Sequence, residues 1–433
     1  MWAYWLFFAI ESLCVNALLP AEELALSDGT YIFLILLNSF ILVFTILFRY
    51  GSDKNFQILL IFGFLFRLFF MFWSEYCSDI FLLPNSGADE FTYYYNAMSN
   101  LVKGKEFTGY AQLFSIQAQI FGLSKLYGKF VNVLFSISAI VILRNILKLL
   151  DIPSPIQTKT IAFACFLPNY AILSALLLRE SIIAFLIVVS AYFLICWWKF
   201  GRFRNILLAL LASIGAAWLH SGMIAYTLGI ICIVVSARRT SNGHQLHLLN
   251  IRTIVLSVIA VAVVMTLLMN LNLGITKYFR GADSLEDIVV IADAYEEGGS
   301  AYNPNVVSNE STMGFIINTP FRMFFFLFAP VPWNWRNITD VAAFLFSALF
   351  YGYVFLKATP CIFRKKAFSL DEALFLIALL TLMIFGWGVS NSGTALRHRD
   401  KMVFHYLIMF AILQSQKYMH RKQQSIRSNS NEA

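Results

Sequence analysis

Residues 166–194 read FLPNYAILSALLLRESIIAFLIVVSAYFL, and the only charges in this stretch are those of Arg179 and Glu180. The charged pair separates two apolar runs, at about 158–178 and 181–198, each close to the roughly 17–25 residues that a membrane-spanning helix needs. Two such runs in succession predict two antiparallel spans joined by a tight turn at one membrane surface. The stretch therefore predicts an all-α polytopic integral membrane protein.

The whole chain has the composition of a membrane protein. Of its 433 residues, 59% are hydrophobic and 13% are charged, and the mean hydropathy is +0.70. These values exclude a soluble globular protein of this length. The net charge of +8 is carried largely by short loops and the C-terminal tail, so it is an orientation signal and does not indicate nucleic-acid binding. Six cysteines lie mostly in apolar runs without paired spacing, so neither a disulfide nor a metal site is expected.

Apolar runs long enough to cross a bilayer predict about twelve transmembrane helices. They belong to one transmembrane domain over residues 1–416, which is followed by a basic, disordered tail at 417–433. The predicted spans lie at roughly 4–20, 31–48, 56–73, 127–143, 158–178, 181–198, 204–219, 221–236, 252–272, 340–356, 371–388 and 402–416.

The distribution of basic residues supports this threading. Under strict alternation every Lys/Arg-rich loop falls on one side, which becomes the cytoplasmic side, and both termini lie there. The acidic segment 283–297 falls on the opposite side, within one of two large outer loops at about 74–112 and 273–313. Segment 314–335 is apolar but proline-containing, and we expect it to be a re-entrant or interfacial element on the same outer side.

Asp89 and Glu90 lie in the first large outer loop, where SGADEFTYYYNAMSNLVKGKEF at 86–107 predicts a helix capped by Ser86 or Asp89. A carboxylate here can deprotonate an acceptor hydroxyl or hold a divalent cation beside a phosphate. An acidic first turn favoured by the helix dipole is the simpler structural explanation. The sequence leaves both open.

Two further outer turns carry ionisable groups. Arg179 suits bidentate phosphate binding and sits beside Glu180 at a turn without Gly, Asn or Pro, although a solvated turn would show the same pair. His220 lies at the next outer turn and is a candidate proton carrier, with a structural histidine as the alternative.

The C-terminal third adds a basic group. Arg322 lies among phenylalanines in segment 314–335, so we expect an anionic partner, either Glu180 or a ligand phosphate. Residues 390–401, SNSGTALRHRDK, concentrate Arg397, His398 and Arg399 before the last span, as suits a lipid-linked pyrophosphate.

These stretches resemble known membrane enzymes. The pattern Asp89-Glu90, Tyr93 or Tyr94, Ala97 and Gly104 is similar to the first outer-loop motif of type-C glycosyltransferases, which use polyprenyl-phosphate sugars. The opening stretch 166–194 resembles the middle spans of that group and of bacterial surface-polysaccharide polymerases. Residues 390–401 resemble a motif of polymerase-like proteins from surface-polysaccharide loci.

The resemblance implies a type-C glycosyltransferase-like polymerase of the bacterial inner membrane. It would join undecaprenyl-pyrophosphate-linked oligosaccharide units into O-antigen or capsular polysaccharide at the periplasmic face. Its partners would be that lipid-linked oligosaccharide, membrane lipids and a chain-length regulator protein, and a divalent cation at Asp89/Glu90 is the one cofactor suggested. The carboxylate pair follows the third span and not the first, which favours a polymerase over a single-sugar transferase.

Roles for the candidate residues follow from this hypothesis. Asp89 or Glu90 would activate the acceptor hydroxyl, with His220 or His398 as a secondary proton carrier and Glu180 in support. Arginines would bind the lipid phosphate, and aromatic side chains would bind sugar. The predicted phosphate-binding residues are Arg179, Arg322, Arg397 and Arg399, and the predicted sugar-binding residues are Tyr93, Tyr94, Trp333 and Trp335.

Three alternatives remain at this point. A transferase that adds one sugar from a polyprenyl phosphate would use the same chemistry. A transporter or flippase for a lipid-linked glycan is expected to keep its ionisable groups near the bilayer midplane and to contain two matching halves, which this sequence lacks. A purely structural membrane subunit would need none of these groups.

Overall fold

The computed structural model describes residues 1–18, 24–104, 109–240, 243–246, 300–308, 312–362 and 369–432. These residues are helical apart from connecting segments and one antiparallel hairpin of β1 (Ala237–Thr240) and β2 (Gly243–Leu246), in which Ala237 pairs with Leu246. The helical class predicted from the sequence is thereby confirmed. The predicted span at about 252–272 and the acidic segment 283–297 lie outside the described residues.

Within the described ranges, most consecutive helices are joined by short connections. In chain order they are α1 (Trp2–Leu18), α2 (Asp28–Arg49), α3 (Lys54–Tyr76), α4 (Ala88–Lys103), α5 (Tyr110–Phe121), α6 (Lys125–Leu149), α7 (Ser154–Phe166), α8 (Pro168–Leu173), α9 (Glu180–Phe200), α10 (Phe203–Leu219), α11 (Ile224–Ser236), α12 (Thr312–Phe328), α13 (Ile338–Ala343), α14 (Leu349–Ile362), α15 (Leu370–Trp387), α16 (Ser392–Asp400) and α17 (Val403–Glu432). A π-helical turn, Phe344–Ala348, joins α13 to α14.

Six helical stretches in the described part of the chain are long and apolar enough to cross a membrane: α2, α3, α6, α9, Ile338–Thr359 and α15. Shorter apolar helices occupy three more of the predicted spans, at Ala3–Val15, Phe203–Leu219 and Ser221–Ser236, and a fourth, Ile316–Phe328, lies in the segment predicted to be re-entrant or interfacial. This is the pattern of an integral membrane protein, whereas the total of about twelve spans stays a prediction. Helices α6 and α9 are mostly buried, but α2 leaves two thirds of its apolar stretch uncovered, as a lipid-facing helix does.

Contacts group the chain into two compact units, and the single transmembrane domain predicted over residues 1–416 stays a prediction. The first unit comprises Met1–Val141 and Ile161–Phe185, and the second comprises Ile142–Thr160 and Leu186–Ala433. Each unit contains its own group of buried ionisable side chains.

The predicted span at 158–178 is not one helix. Helix α7 ends at Phe166, α8 starts with Pro168 in its first turn and ends at Leu173, and residues 174–179 are not α-helical. Proline has no N–H to donate to the preceding turn, and it disfavours a helical conformation at the residue before it. Leu167 accordingly has a ψ of 110°, which ends α7 and separates it from α8.

Two other segments differ in form from their expectations. The apolar segment at 314–335 is helical as α12 up to Phe328, even though Pro320 lies inside that helix, and only its end turns at Pro332–Asn334. Whether it is re-entrant stays a prediction. The tail at 417–432, which was expected to be disordered, continues α17 to Glu432.

Candidate functional site

In the first unit, the candidate site is built around the start of α4. The predicted helix is present, but Ser86 and Asp89 do not cap it: Gly87 occupies the cap position with φ 113°, and its N–H donates to Glu90 Oε2 at 3.4 Å. Glycine tolerates this positive φ because it has no Cβ. Asp89 and Glu90 lie in the first turn, where the helix dipole favours negative charge.

Glu90 is 5% exposed, and both of its carboxylate oxygens accept hydrogen bonds within the protein. Its Oε1 accepts a hydrogen bond from the Leu177 backbone N–H at 2.8 Å and lies 3.4 Å from Lys129 Nζ. A carboxylate held in this way is poorly placed to take a proton from a substrate. Asp89 is only half-buried, so of the two predicted catalytic carboxylates it is the one that a substrate can reach.

Lys129 is a buried cation that the sequence analysis missed. Its Nζ contacts Glu75 Oε2 at 2.9 Å, Ser74 Oγ at 2.8 Å and Glu90, while Lys125 contacts the other Glu75 oxygen at 3.4 Å. A lysine within an apolar run is costly unless it is paired, so its position in the predicted span 127–143 was the available signal. The resulting chain of charges runs from Lys125 through Glu75 and Lys129 to Glu90.

The non-helical residues 174–178 are buried, and side chains bind several of their backbone groups. Asn132 Nδ2 lies 2.7 Å from the Leu176 carbonyl oxygen and 2.8 Å from that of Leu178, and Glu90 accepts from the Leu177 N–H. Irregular backbone is tolerated at membrane depth only when its polar groups are bonded within the protein. Asn132 and Glu90 therefore hold this break between α8 and α9.

Arg179, at the end of the break, lies against α4. Its guanidinium carbon is 6.0 Å from the centre of the Tyr93 ring, and Tyr93 packs edge-on against Tyr110 at 5.0 Å. Asp89 and Tyr93 are four residues apart and share one face of α4. The fold thus brings Asp89 and Arg179, which are remote in sequence, to the same region of the first unit, and the buried Glu180 follows as the first residue of α9.

A cavity of about 360 Å³ lies on the other side of α4. Tyr94 lines it, but Tyr93 does not, which separates the two predicted sugar-binding tyrosines. Partial burial raises the pKa of the Tyr94 phenol, so it stays neutral and able to donate a hydrogen bond. The cavity is lined by Ala25, Leu26, Asp28, Tyr31, Glu75, Tyr76, Phe91, Tyr94, Tyr95, Leu123, Ser124, Lys125 and Leu126.

In the second unit, two of the predicted histidines lie together. The rings of His220 and His398 pack edge-on at 4.6 Å, and both contact the Phe385 ring. The fully buried Lys401 places its Nζ 2.9 Å from His398 Nδ1 and packs over Phe385. A charged lysine can only donate, so this contact places the proton of a neutral His398 on Nε2. Lys401 was not among the predicted site residues, although it ends the quoted 390–401 stretch.

Arg399 is buried and bound to backbone. Its guanidinium donates to the carbonyl oxygens of Phe326, Leu327 and Ala329 at 2.6–2.8 Å, at the C-terminal end of α12. Burial lowers the pKa of Arg399 to about 10, which still leaves it cationic near neutrality. A cation there satisfies the last carbonyls and complements the helix dipole. These contacts favour a structural role over the predicted phosphate-binding role.

The other predicted cation and indole positions differ in accessibility. Arg322 is buried, donates to Asn305 Oδ1 at 2.8 Å and to the Trp387 carbonyl at 3.1 Å, and packs 4.5 Å from the Trp387 ring. Its pairing with Glu180, a residue of the first unit, stays a prediction. Arg397 is half-buried, while Trp333 and Trp335 are exposed, which leaves these three side chains accessible to a ligand.

Within the described ranges, no three His, Cys, Asp or Glu side chains are grouped as metal ligands, and the divalent cation at Asp89/Glu90 stays a prediction. The predicted residues thus fall into one group around α4 in the first unit and one around α16 in the second.

Comparison of the chain with protein-family models, with curated proteins and with solved structures found no match.

Proposed function

We propose that this protein is a membrane glycosyltransferase that joins lipid-linked oligosaccharide units into a surface polysaccharide at the periplasmic face of a bacterial inner membrane. The observation that carries the proposal is that Arg179 packs over Tyr93, on the face of α4 that also carries Asp89. A half-buried carboxylate and an arginine at one face of a helix supply the two groups that glycosyl transfer from a lipid diphosphate requires.

The proposed step balances as a displacement at the anomeric carbon. Asp89 removes the proton from the acceptor hydroxyl while that oxygen bonds to the anomeric carbon of the donor. The bond from the anomeric carbon to the phosphate oxygen breaks, and its electron pair leaves with the lipid diphosphate. Arg179 stabilises the charge that grows on this leaving group, because a guanidinium matches phosphate oxygens in a bidentate manner. Glu90, Lys129 and Asn132 position these two residues through the break.

The second unit supports the proposal through its accessible cation. Arg397 is half-buried on α16, beside the His220–His398–Lys401 cluster and near the carbonyl-bound Arg399. We assign Arg397 to binding of a lipid phosphate and Arg399 to holding the end of α12. A transferase that adds a single sugar from a polyprenyl phosphate would use the first-unit residues in the same way.

A different class of function has one observation in its favour. The break between α8 and α9, with buried charges bonded to its backbone, resembles the discontinuous helices that form substrate sites in secondary transporters. Transport of a lipid-linked glycan would use Arg179 and Arg397 for phosphate binding but would not need a base at Asp89. An Asp89→Asn variant therefore separates the two classes.

The test is deletion of the gene in its native host and complementation with single variants. For a polymerase, the deletion strain accumulates lipid carrier with one repeat unit on the periplasmic side and lacks long chains. Asp89→Asn and Arg179→Ala should each fail to restore long chains, whereas the exposed-residue controls Asp79→Asn and Arg204→Ala should restore them.

Three results would change the assignment. Loss of one sugar from otherwise full-length chains would indicate the single-sugar transferase. Accumulation of carrier on the cytoplasmic side, with full complementation by Asp89→Asn, would indicate transport. An unchanged polysaccharide profile in the deletion strain would remove the polymerase, the single-sugar transferase and the glycan transporter alike.

A further inference from the structure

The cavity beside α4 has a rim of exposed aromatic side chains. Phe91 and Tyr95 on α4 are 50% and 55% exposed and stack at 6.5 Å, and Tyr76 at the end of α3 is exposed to a similar extent. A volume of about 360 Å³ lies within the range of small-molecule sites, roughly 300–1,000 Å³. Large exposed aromatic faces, around a recess of this size, favour a ligand with both apolar and polar surface.

Polar side chains face the same cavity. Asp28, Glu75, Ser124 and Lys125 all line it, together with the neutral phenol of Tyr94. Lys125 is held within it, with its Nζ 3.4 Å from Glu75 and 5.0 Å from the centre of the Phe91 ring. The cavity therefore offers hydrogen-bond donors and acceptors in addition to aromatic faces.

The charge of the lining restricts the ligand. Asp28 and Glu75 contribute two negative charges, and Lys125 contributes one positive charge. Glu75 is also bound to Lys129, but that lysine is shared with Glu90 on its far side. Asp28 has no basic residue among the cavity lining other than Lys125, so a carboxylate or phosphate group would meet repulsion here.

We propose that this cavity binds one uncharged sugar residue of a glycan, with the ring's C–H face against Tyr95 or Phe91 and its hydroxyls against Asp28, Glu75 and Tyr94. A sugar ring has the required alternation of an apolar face and a hydroxyl-bearing edge. The identification of the natural ligand as a lipid-linked glycan rests on the proposed function, whereas the preference for an uncharged sugar follows from the lining alone.

The location also links the cavity to the candidate base. Glu75 lines the cavity, binds Lys129, and through it contacts Glu90, the neighbour of Asp89. Tyr94 and Tyr95 lie five and six residues after Asp89 on α4. A sugar seated in the cavity would therefore lie against the helix that carries the base, on the side away from Asp89 and Tyr93.

The test is saturation-transfer NMR on the purified full-length protein in detergent micelles. The probes are the methyl glycosides of glucose, galactose, mannose, rhamnose and N-acetylglucosamine, with methyl glucuronide as the anionic comparator. We expect saturation transfer to at least one neutral glycoside and none to the glucuronide. Tyr95→Ala should reduce the transfer at least five-fold, whereas Tyr418→Ala, which removes an exposed tyrosine of α17, should leave it unchanged.

A second variant tests whether the negative charge of the cavity excludes an anionic sugar. Asp28→Asn removes one negative charge of the cavity, so the glucuronide should begin to show transfer, and the exposed control Asp79→Asn should not have this effect. Absence of transfer to every neutral glycoside, or equal transfer in wild type and Tyr95→Ala, would overturn the proposal. Equal transfer to the glucuronide and the neutral glycosides in wild type would overturn it as well.

The outcome is separable from that of the proposed function. Sugar binding that depends on Tyr95, with an unchanged polysaccharide profile in the deletion strain, would keep the cavity assignment and reject the polymerase. A deletion strain without long chains, together with a protein that binds none of the probes, would keep the polymerase and reject the cavity assignment.

Discussion

Glu90 Oε1 accepts a hydrogen bond from the backbone N–H of Leu177 at 2.8 Å, across 87 residues of sequence. The bond joins the first turn of α4 to the break between α8 and α9. Leu177 lies outside any α-helix, so the carboxylate accepts the hydrogen bond that a backbone carbonyl would accept within a helix. It also explains why two adjacent acidic residues have different roles, with Glu90 holding the fold and Asp89 remaining accessible.

Substitutions of these two carboxylates should separate stability from activity. We expect Glu90→Ala to lower the free energy of unfolding by about 3–5 kcal/mol, because it leaves Lys129 with one fewer buried partner and the Leu177 N–H without an acceptor. Asp89→Asn should change it by less than about 1 kcal/mol and should abolish chain formation. Denaturant unfolding of the purified protein, followed by tryptophan fluorescence, measures the first effect, and complementation of the deletion strain measures the second.

The outcome that contradicts this division is easily recognised. If Glu90→Ala unfolds like wild type while Asp89→Asn is fully active, Glu90 and not Asp89 becomes the candidate base. Glu90→Gln is the informative intermediate, because it retains an oxygen for the Leu177 N–H and removes only the charge next to Lys129.

Lys129 and Lys125 offer a matched comparison, since both bind Glu75. We expect Lys129→Met to lower the free energy of unfolding by about 3–5 kcal/mol, because it leaves Glu75 and Glu90 facing each other without the cation between them. Lys125→Met should lower it by about 0–1 kcal/mol, because the Lys125 side chain is 26% exposed and water screens the pair. The measurement is the unfolding midpoint of each variant in detergent, and equal shifts would mean that Lys129 is better solvated than its burial indicates.

The sequence was informative about helices and less so about their interruptions. Runs of apolar residues place α2, α3, α6, α9 and α15 close to their observed bounds, because a bilayer-length helix depends on local composition alone. The break after α8 could have been suspected at Pro168, but its partners Glu90 and Asn132 lie on other elements, and no local pattern indicates them. Arg399 shows the same limit. From the sequence, a basic cluster near a membrane predicts phosphate binding, and only the fold shows that the Arg399 guanidinium binds backbone carbonyls.

Arg399 and Arg397 should respond differently to the same substitution. Arg399→Met removes the donors to three carbonyl oxygens at the end of α12, so we expect a loss of about 3 kcal/mol in the free energy of unfolding and poor accumulation in the membrane. Arg397→Met should accumulate normally and lose lipid-phosphate binding. Membrane fractionation gives the first comparison, and the amount of long-chain polysaccharide in complemented cells gives the second. Normal accumulation and stability of Arg399→Met would return Arg399 to the phosphate-binding group.

Arg67 provides the strongest test of how this fold accommodates buried charge. Its guanidinium, inside α3, donates to the carbonyl oxygens of Gly63, Ala164 and Cys165 at 2.8–2.9 Å, and its Nε donates to Ser136 Oγ at 2.8 Å. Ala164 and Cys165 belong to the last turn of α7, so Arg67 satisfies carbonyls that the break at Pro168 leaves without a helical donor.

A lysine at this position carries its donors on one nitrogen and cannot span these acceptors as the planar guanidinium does. We therefore expect Arg67→Lys to lower the free energy of unfolding by about 2–3 kcal/mol, although the charge is retained. Ser136→Ala, which removes a single partner, should lower it by about 1 kcal/mol. Denaturant unfolding of both variants beside wild type measures the difference. If Arg67→Lys were as stable as wild type, the charge alone would be sufficient, and the geometric match to the end of α7 would not be what keeps Arg67 buried there.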